Sequence, residues 1–321
     1  MLAQLARRLA TGGLVVLGVV TLTFLLLHLA PGDPAVHLSG PAATAEQLAA
    51  TRVALGLDQP WPVQFVEWLG RAARGDWGRS IATGRPVAEI LAEAWPATAL
   101  LVLLSLGGSY LFGILLGLVQ VRRGGRVDTA LTLGSVTLFA MPGYWLGLIL
   151  VWIAAYHLRV LPAFGAAGLD AEFLGTGAAF VDRLRHLALP LITLTLIGVG
   201  GAARFVRGAL LDVQGEPFLL AAEARGLRDR TLIRRHLLRN ALGPVVTLLG
   251  LSLPALFSGA VFVEGIFAWP GVGRVLITAV QGRDYPVVMA GATVSALLVV
   301  AGNLLADLLR GWVDPRVRHA G

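Results

Sequence analysis

Six apolar runs, at about 9–29, 98–121, 130–155, 187–203, 245–263 and 287–309, constrain this chain more than any other feature. Most reach or approach the ~20 residues that a helix needs to cross the hydrocarbon core of a bilayer. With 56% hydrophobic and only 14% charged residues, 321 residues are too apolar for a soluble globule. The expected fold class is an all-α integral membrane protein with six transmembrane helices.

The first run follows Arg7 and Arg8. A cleaved leader would have a shorter apolar region, and His28 and Pro31 spoil a cleavage site after Ala30, so the run reads as an uncleaved span. An amphipathic external region at 31–95 comes next. In it Thr44 and Gln47 form a capping box for a helix ending near Gly56, while Trp61, Trp68 and Trp77 suit an interfacial belt. The five-span core occupies about 98–309. Its first span carries a small-residue face at Gly113 and Gly117, its second is interrupted by Pro142 and Gly143, and its third is short, with Pro190 near its start. That third span ends in Arg204 and Arg207, placed to complement a helix C-terminal dipole. Pro254 is expected to kink the run at 245–263, and 264–286 reads as a re-entrant or external turn.

Sixteen arginines fall in the segments assigned to the cytosol, eight of them between Arg204 and Arg239, against ten in the longer external segments. That bias in short loops places both termini in the cytosol. The same topology explains the net charge of +7 without a nucleic-acid partner. Cysteine is absent, which excludes disulfides and cysteine-bound metals, and lysine is absent too, which excludes a Walker-type ATPase in this chain. His28, His37, His157, His186, His236 and His319 are scattered without metal-ligand spacing. No catalytic constellation and no cofactor of this chain's own are expected.

The polar stretch at 217–244, PFLLAAEARGLRDRTLIRRHLLRNALGP, lies between two long apolar runs. It reads as two short helices joined by a bend. Pro217 suits a first helical position, Gly226 suits the left-handed residue after a helix end, and Asp229 caps the second helix. That helix sets Leu232, Ile233, Leu237 and Leu238 on one face and Arg230, Arg234, Arg235 and Arg239 around the others, with Pro244 opening the next span. An ordinary basic cytoplasmic loop would explain the arginines but not the ordered spacing of Ala221, Ala222, Gly226, Asn240 and Pro244.

This pattern resembles the "EAA" loop of membrane subunits of ATP-binding-cassette (ABC) importers, in the version of the dipeptide, oligopeptide and nickel group. Leu220 stands where the family name puts Glu and Arg239 where many members have Pro, departures that point to this subgroup. The external region is similar to the group's first-permease type at Gly56, Leu57, Asp58, Pro60, Gly75, Asp76, Gly78, Ser80, Arg85, Pro86 and Val87. MPGYWLG at 141–147 and EGIFAWPGVGRVLITAVQGRDYP at 264–286 also resemble the group.

The resemblance implies a type I ABC importer permease fold, a single membrane permease domain over 1–321, in the cell inner membrane. It further implies a coupling loop at 211–243 in which Ala221, Ala222, Gly226, Leu227, Arg228, Asn240 and Pro244 meet the ATPase. The implied partners are a second homologous permease subunit, two ABC ATPase subunits that bind ATP and Mg, an extracytoplasmic solute-binding protein, and membrane lipid. The alternative is an ion-coupled secondary transporter, which would be expected to show inverted repeats and ionisable groups near mid-membrane.

Glu264, at the end of an apolar span, is either a gate or pathway residue or a carboxylate held at the external interface by Arg274 or backbone N–H groups. Gly198, Gly200 and Gly201 either line a translocation path or permit close helix packing.

Overall fold

The computed structural model describes residues 2–40, 43–228 and 231–313. Among them helix dominates and no strand forms, apart from an isolated bridge between Arg79 and Pro86. Four helices are long and apolar enough to cross a membrane: Ala6–Leu29, Val87–Arg123, Thr176–Gln214 and Tyr285–Leu305. A fifth crossing is available if the bent pair Gly125–Ala140 and Gly143–His157 counts as one span. The chain falls into two compact units, Met1–Thr98 with Pro270–Val300, and Ala99–Trp269 with Ala301–Gly321.

In the first unit α1 (Leu2–Leu29) buries Val20 and Phe24 against Trp68 of α4 (Trp61–Ala72) and Met289 of α12 (Tyr285–Val313). The opening turns of α5 (Val87–Arg123) bury Val87, Leu91 and Ala94 against Val272 and Ala279 of α11 (Val272–Gln281) and Val287 of α12. Trp68 thus belongs to a protein core and not to the expected interfacial belt. It is 9% exposed and meets Trp77 edge-on at 6.3 Å, while Trp61 remains 44% exposed. Trp68 shares a buried cluster with Val20, Phe24 and Met289, whereas an interfacial position would leave the indole body against lipid.

Asp33 caps α2 (Pro34–Ser39) through the N–H of Ala35 at 2.9 Å and pairs with Arg52 of α3 (Ala45–Ala54) at 2.5 Å. The capping box forms as expected: the Thr44 hydroxyl accepts from the Gln47 N–H, and the Gln47 side chain accepts from the Thr44 N–H. α3 buries no side chain, and polar contacts hold it: its capping box, the Arg52–Asp33 pair and the Thr51 hydroxyl 3.0 Å from that of Ser39 on α2. Thr44→Ala is expected to cost about 1 kcal/mol of local stability, read as faster amide exchange across 45–54 with no change elsewhere.

The Gly-Asp motif has a structural explanation. Gly75 and Gly78 take φ of +82° and +80°, which only glycine adopts without strain, and the Asp76 carboxylate accepts from the Gly78 N–H at 2.9 Å. The turn they make brings Ser80 to a buried carboxylate, Asp284, immediately before α12. Asp284 accepts from the Ser80 hydroxyl at 2.5 Å and from the Ile81 and Ala82 N–H groups at 3.0 and 3.3 Å.

The second unit is built on α8 (Thr176–Gln214), where Val199, Ala203, Val206 and Leu210 recur at helical spacing on a buried face. This helix corrects two expectations. It is long and not short, because its hydrogen bonds continue through polar residues on both sides of the apolar run. Arg204 and Arg207 therefore lie inside it, upstream of its end at Gln214. Arg204 instead sits over the Phe139 ring at 5.5 Å.

α6 (Gly125–Ala140) and α7 (Gly143–Leu150, continued as a π-helix over Val151–His157) meet at 105°. Met141 is extended, at φ −75° and ψ 129°, as a residue preceding proline prefers, so Pro142 turns the interruption into a sharp corner. α5 also begins eleven residues earlier than the apolar run, at Val87, and contains Pro96.

Candidate coupling segment and helix seam

α8 runs on toward the polar stretch. Glu216 offers its carbonyl to the Leu219 N–H at 3.0 Å, and Pro217 opens α9 (Pro217–Ala224), where its missing N–H leaves nothing unpaired. α9 buries Leu219 and Ala222 and leaves Phe218, Leu220, Ala221 and Ala224 exposed. Gly226 then takes φ +71°, and a Cβ built there would meet nothing within 4 Å. The requirement for glycine is thus conformational within this chain, and any steric limit at the bend must come from something docked against it. Leu227 and Arg228 are exposed beside it.

The second helix starts as the Arg228 carbonyl accepts from the N–H groups of Thr231 and Leu232 at 2.8 and 3.0 Å. Asp229 and Arg230, the expected cap and the first arginine of that helix, lie outside the described residues. A π-turn over Leu232–Leu237 leads directly into α10 (Leu238–Ile266) and packs against α9. Of the expected apolar face Leu237 is buried and Leu232, Ile233 and Leu238 are half-buried, while Arg235 and Arg239 are exposed, and the buried face continues through Ala241 and Val245 at i+4 and i+8 from Leu237.

Asn240 is exposed and donates its amide to the His236 carbonyl at 2.6 Å. Pro244 does not open a helix: the helix is already formed before it, and Pro244 lies inside α10. Its missing N–H leaves the Asn240 carbonyl without the usual helical donor.

The other candidate residues lie within the second unit. Glu264 is fully buried in the last turn of α10, and its carbonyl accepts from the Trp269 N–H at 2.9 Å. Gly198, Gly200 and Gly201 sit where α8 is crowded. A Cβ at Gly198 would overlap the Ser109 side chain, one at Gly200 would lie 2.6 Å from the Ser135 carbonyl oxygen and 2.8 Å from the Phe139 nitrogen, and one at Gly201 would lie 3.3 Å from the Phe139 ring.

The face on α5 matches: a Cβ at Gly113 would be 2.6 Å from that of Ala202, and one at Gly117 would be 2.9 Å from Val206 and 3.1 Å from the Arg207 nitrogen. The two helices therefore approach backbone to backbone, as small residues allow.

Two polar arrangements escaped sequence reasoning. One is the Ser80–Asp284 clamp. The other joins Asp128, in the first turn of α6, to Arg207 of α8 by a fork of two hydrogen bonds at 2.6 and 2.7 Å. The only hint of the second was one acid in an otherwise basic turn.

Residues 109–319 match the family model described as "Binding-protein-dependent transport system inner membrane component", and residues 1–102 match its N-terminal companion, "Binding-prot-dependent transport system membrane comp, N-term". The chain belongs to this family of transport-system membrane components. The join between the two models falls inside α5, close to the boundary at Thr98 between the two compact units.

Curated members share more than a third of its residues. The oligopeptide transport system permease protein AppB of Bacillus subtilis is 36% identical over 99% of this chain and 100% of its own length. The probable D,D-dipeptide transport system permease protein DdpB of Escherichia coli is 39% identical over 96% and 95%. The dipeptide permease DppB of Escherichia coli is 35% identical over 99% of each.

Among solved structures, the inward-facing MetNI methionine ABC transporter superposes with a TM-score of 0.56 at 18% identity, over 71% of this chain and 97% of that one. An amino acid ABC transporter with histidines gives 0.52 at 14% identity, over 70% and 94%. At those identities the likeness carries the fold alone. As a member of the family, the chain is a multi-pass inner-membrane permease subunit of an ABC transporter, and it leaves ATP hydrolysis to partner subunits.

Proposed function

We propose that this permease forms half of a translocation pathway for peptides or a related small solute, and that ATPases drive it through the segment at 217–244. The full-length similarity to peptide permeases carries the reading, and it favours an ATP-driven importer over an ion-coupled secondary transporter. The fold is a six-span permease domain over 1–321 with both termini cytosolic. The helical course of α10 through the apolar run at 245–263 supports reading that run as the fifth of the six spans.

A second homologous permease supplies the other half of the pathway, an extracytoplasmic solute-binding protein delivers the solute, and two ABC ATPase subunits hold ATP and Mg. Ala221, Gly226, Leu227, Arg228 and Asn240, all exposed, belong to the ATPase contact, with Ala221 and the open space over Gly226 admitting a close approach, whereas Ala222, buried within this chain, and Pro244, inside α10, support the segment instead of meeting the ATPase as the sequence led one to expect. Glu264 is the pathway or gate candidate, while the contacts of Gly198, Gly200 and Gly201 with Ser109, Ser135 and Phe139 favour the other of their two expected roles, close helix packing. The ATPase state has only to bias two arrangements of the bundle by a few kcal/mol through unequal contacts.

Co-purification tests this. Tagged wild-type chain expressed with its partner subunits should retain stoichiometric ATPase, and Gly226→Asp should lose it or uncouple it while the bundle stays inserted. The side chain at 226 would project into space that this chain leaves empty. Normal ATPase capture together with normal uptake by Gly226→Asp would remove 226 from the contact.

A further inference from the structure

We infer that Asp128 and Arg207 are positioning residues for coupling, fastening α6 to the root of the coupling segment so that the two move as one body. This rests on the coupling reading above and adds a transmission element that lies outside the 217–244 stretch.

The fastening is built from three helices of the second unit. Gly117 of α5 lets the α8 backbone approach until a Cβ would be 3.1 Å from the Arg207 nitrogen. At the α5–α6 turn Gly124 and Gly125 take φ of +58° and +49°, and the Asp128 N–H donates to the Gly124 carbonyl at 3.1 Å. The Asp128 carboxylate then receives the Arg207 guanidinium in a planar two-point fork, Nε to Oδ1 and Nη2 to Oδ2.

A buried relay backs the carboxylate. Gln120, fully buried on α5, donates through Nε2 to the Thr132 hydroxyl at 3.1 Å, and that hydroxyl donates to Asp128 at 3.3 Å. The side chains of Asp128 and Arg207 are 20% and 31% exposed, so water screens the pair only in part.

The position gives the pair its role. From Arg207, α8 continues without a break to Gln214, and only Gly215 and Glu216 separate it from α9. On the other side, Asp128 stands at the start of α6, the helix that ends at the 105° corner at Met141 and Pro142. A push on α9 therefore reaches α8 through the backbone, and reaches α6 and its corner through the Asp128–Arg207 fork. Packing at Gly200 also joins α6 to α8, and the fork adds two directional bonds at the end of that contact nearest the coupling segment, where they fix the angle between the two helix ends.

The chain has no native cysteine, so paired spin labels can be placed on exposed Ala130 of α6 and Ala224 of α9 in the assembled complex. Wild type should give one label distance, the same in nucleotide-free and vanadate-trapped ATP states. Arg207→Ala and Asp128→Ala should give a broadened distance that changes with nucleotide. Arg207→Lys, which keeps the charge but loses the fork, should fall between. The exchange Asp128→Arg with Arg207→Asp should restore the single distance.

Turnover should follow the same order. The alanine variants should keep ATPase activity within about twofold of wild type, while uptake of radiolabelled alanylalanine per ATP falls roughly tenfold, within the usual range of coupling effects.

Single variants with a fixed, wild-type distance overturn the proposal, as does an exchanged pair no better than the single variants in an intact complex. Alanine variants that fail to assemble, with Arg207→Lys assembled and wild type by both readouts, reduce the pair to a stability role and overturn it as well. Absence of ATPase from the wild-type preparation overturns the coupling reading itself, and it shows before any label is read.

Discussion

Gly200→Leu is expected to leave no folded permease in the membrane. Overpacking in a core usually costs ~1–3 kcal/mol because side chains give way. At Gly200 the atoms that a Cβ would strike are backbone, the Ser135 carbonyl oxygen at 2.6 Å and the Phe139 nitrogen at 2.8 Å, and both belong to the hydrogen-bonded frame of α6. They can move only if α6 leaves α8, which breaks the packing that defines the second unit. Gly208→Ala on the same helix is the control: its Cβ would meet nothing within 4 Å, and removing a helix-interior glycine is expected to be neutral or to stabilise by up to ~1 kcal/mol. The two variants are compared by yield and elution profile in mild detergent. Wild-type elution and unfolding temperature for Gly200→Leu would refute the reading of that contact.

Asp284→Ala should cost about 3 kcal/mol, lowering the unfolding temperature of the purified permease by ~5–10 °C. The carboxylate is 3% exposed and gathers three donors from a segment some 200 residues away in sequence. Removing it leaves the Ser80 hydroxyl, itself 3% exposed, without its acceptor and frees the turn that leads into α5. Ser80→Ala should cost less than half as much, because the carboxylate then keeps its two N–H donors. Equal losses in the two variants would show that the hydroxyl alone holds the clamp.

Several elements were legible because their causes are local. The Thr44 and Gln47 side chains reach only their own helix start, Pro142 acts on the residue before it, and Pro217 and Gly226 bracket a helix whose ends each residue specifies by its own backbone preference. Helix lengths were not legible in the same way. Apolar runs mark what a bilayer can hold, whereas α5 and α8 continue wherever consecutive N–H and C=O groups can pair, through Glu89 and Glu93 in one and Arg204 and Arg207 in the other. Pro244 misled for a related reason: it tolerates a helix start, but a helix already nucleated upstream can carry it.

The amino-acid sequence by itself determined that this chain enters a membrane as helices, where its polar, arginine-rich segment lies, which residues bend it, and which family it belongs to. Each of these follows from composition, or from motifs whose residues lie close together in the chain. The tertiary structure alone decided that Trp68 is core, that Gly198, Gly200 and Gly201 sit against helix neighbours, and that Asp284 holds Ser80 while Asp128 holds Arg207. Those pairings join residues 79 and 204 positions apart. A carboxylate's partner at such a separation is set by how helices pack, which no local pattern encodes.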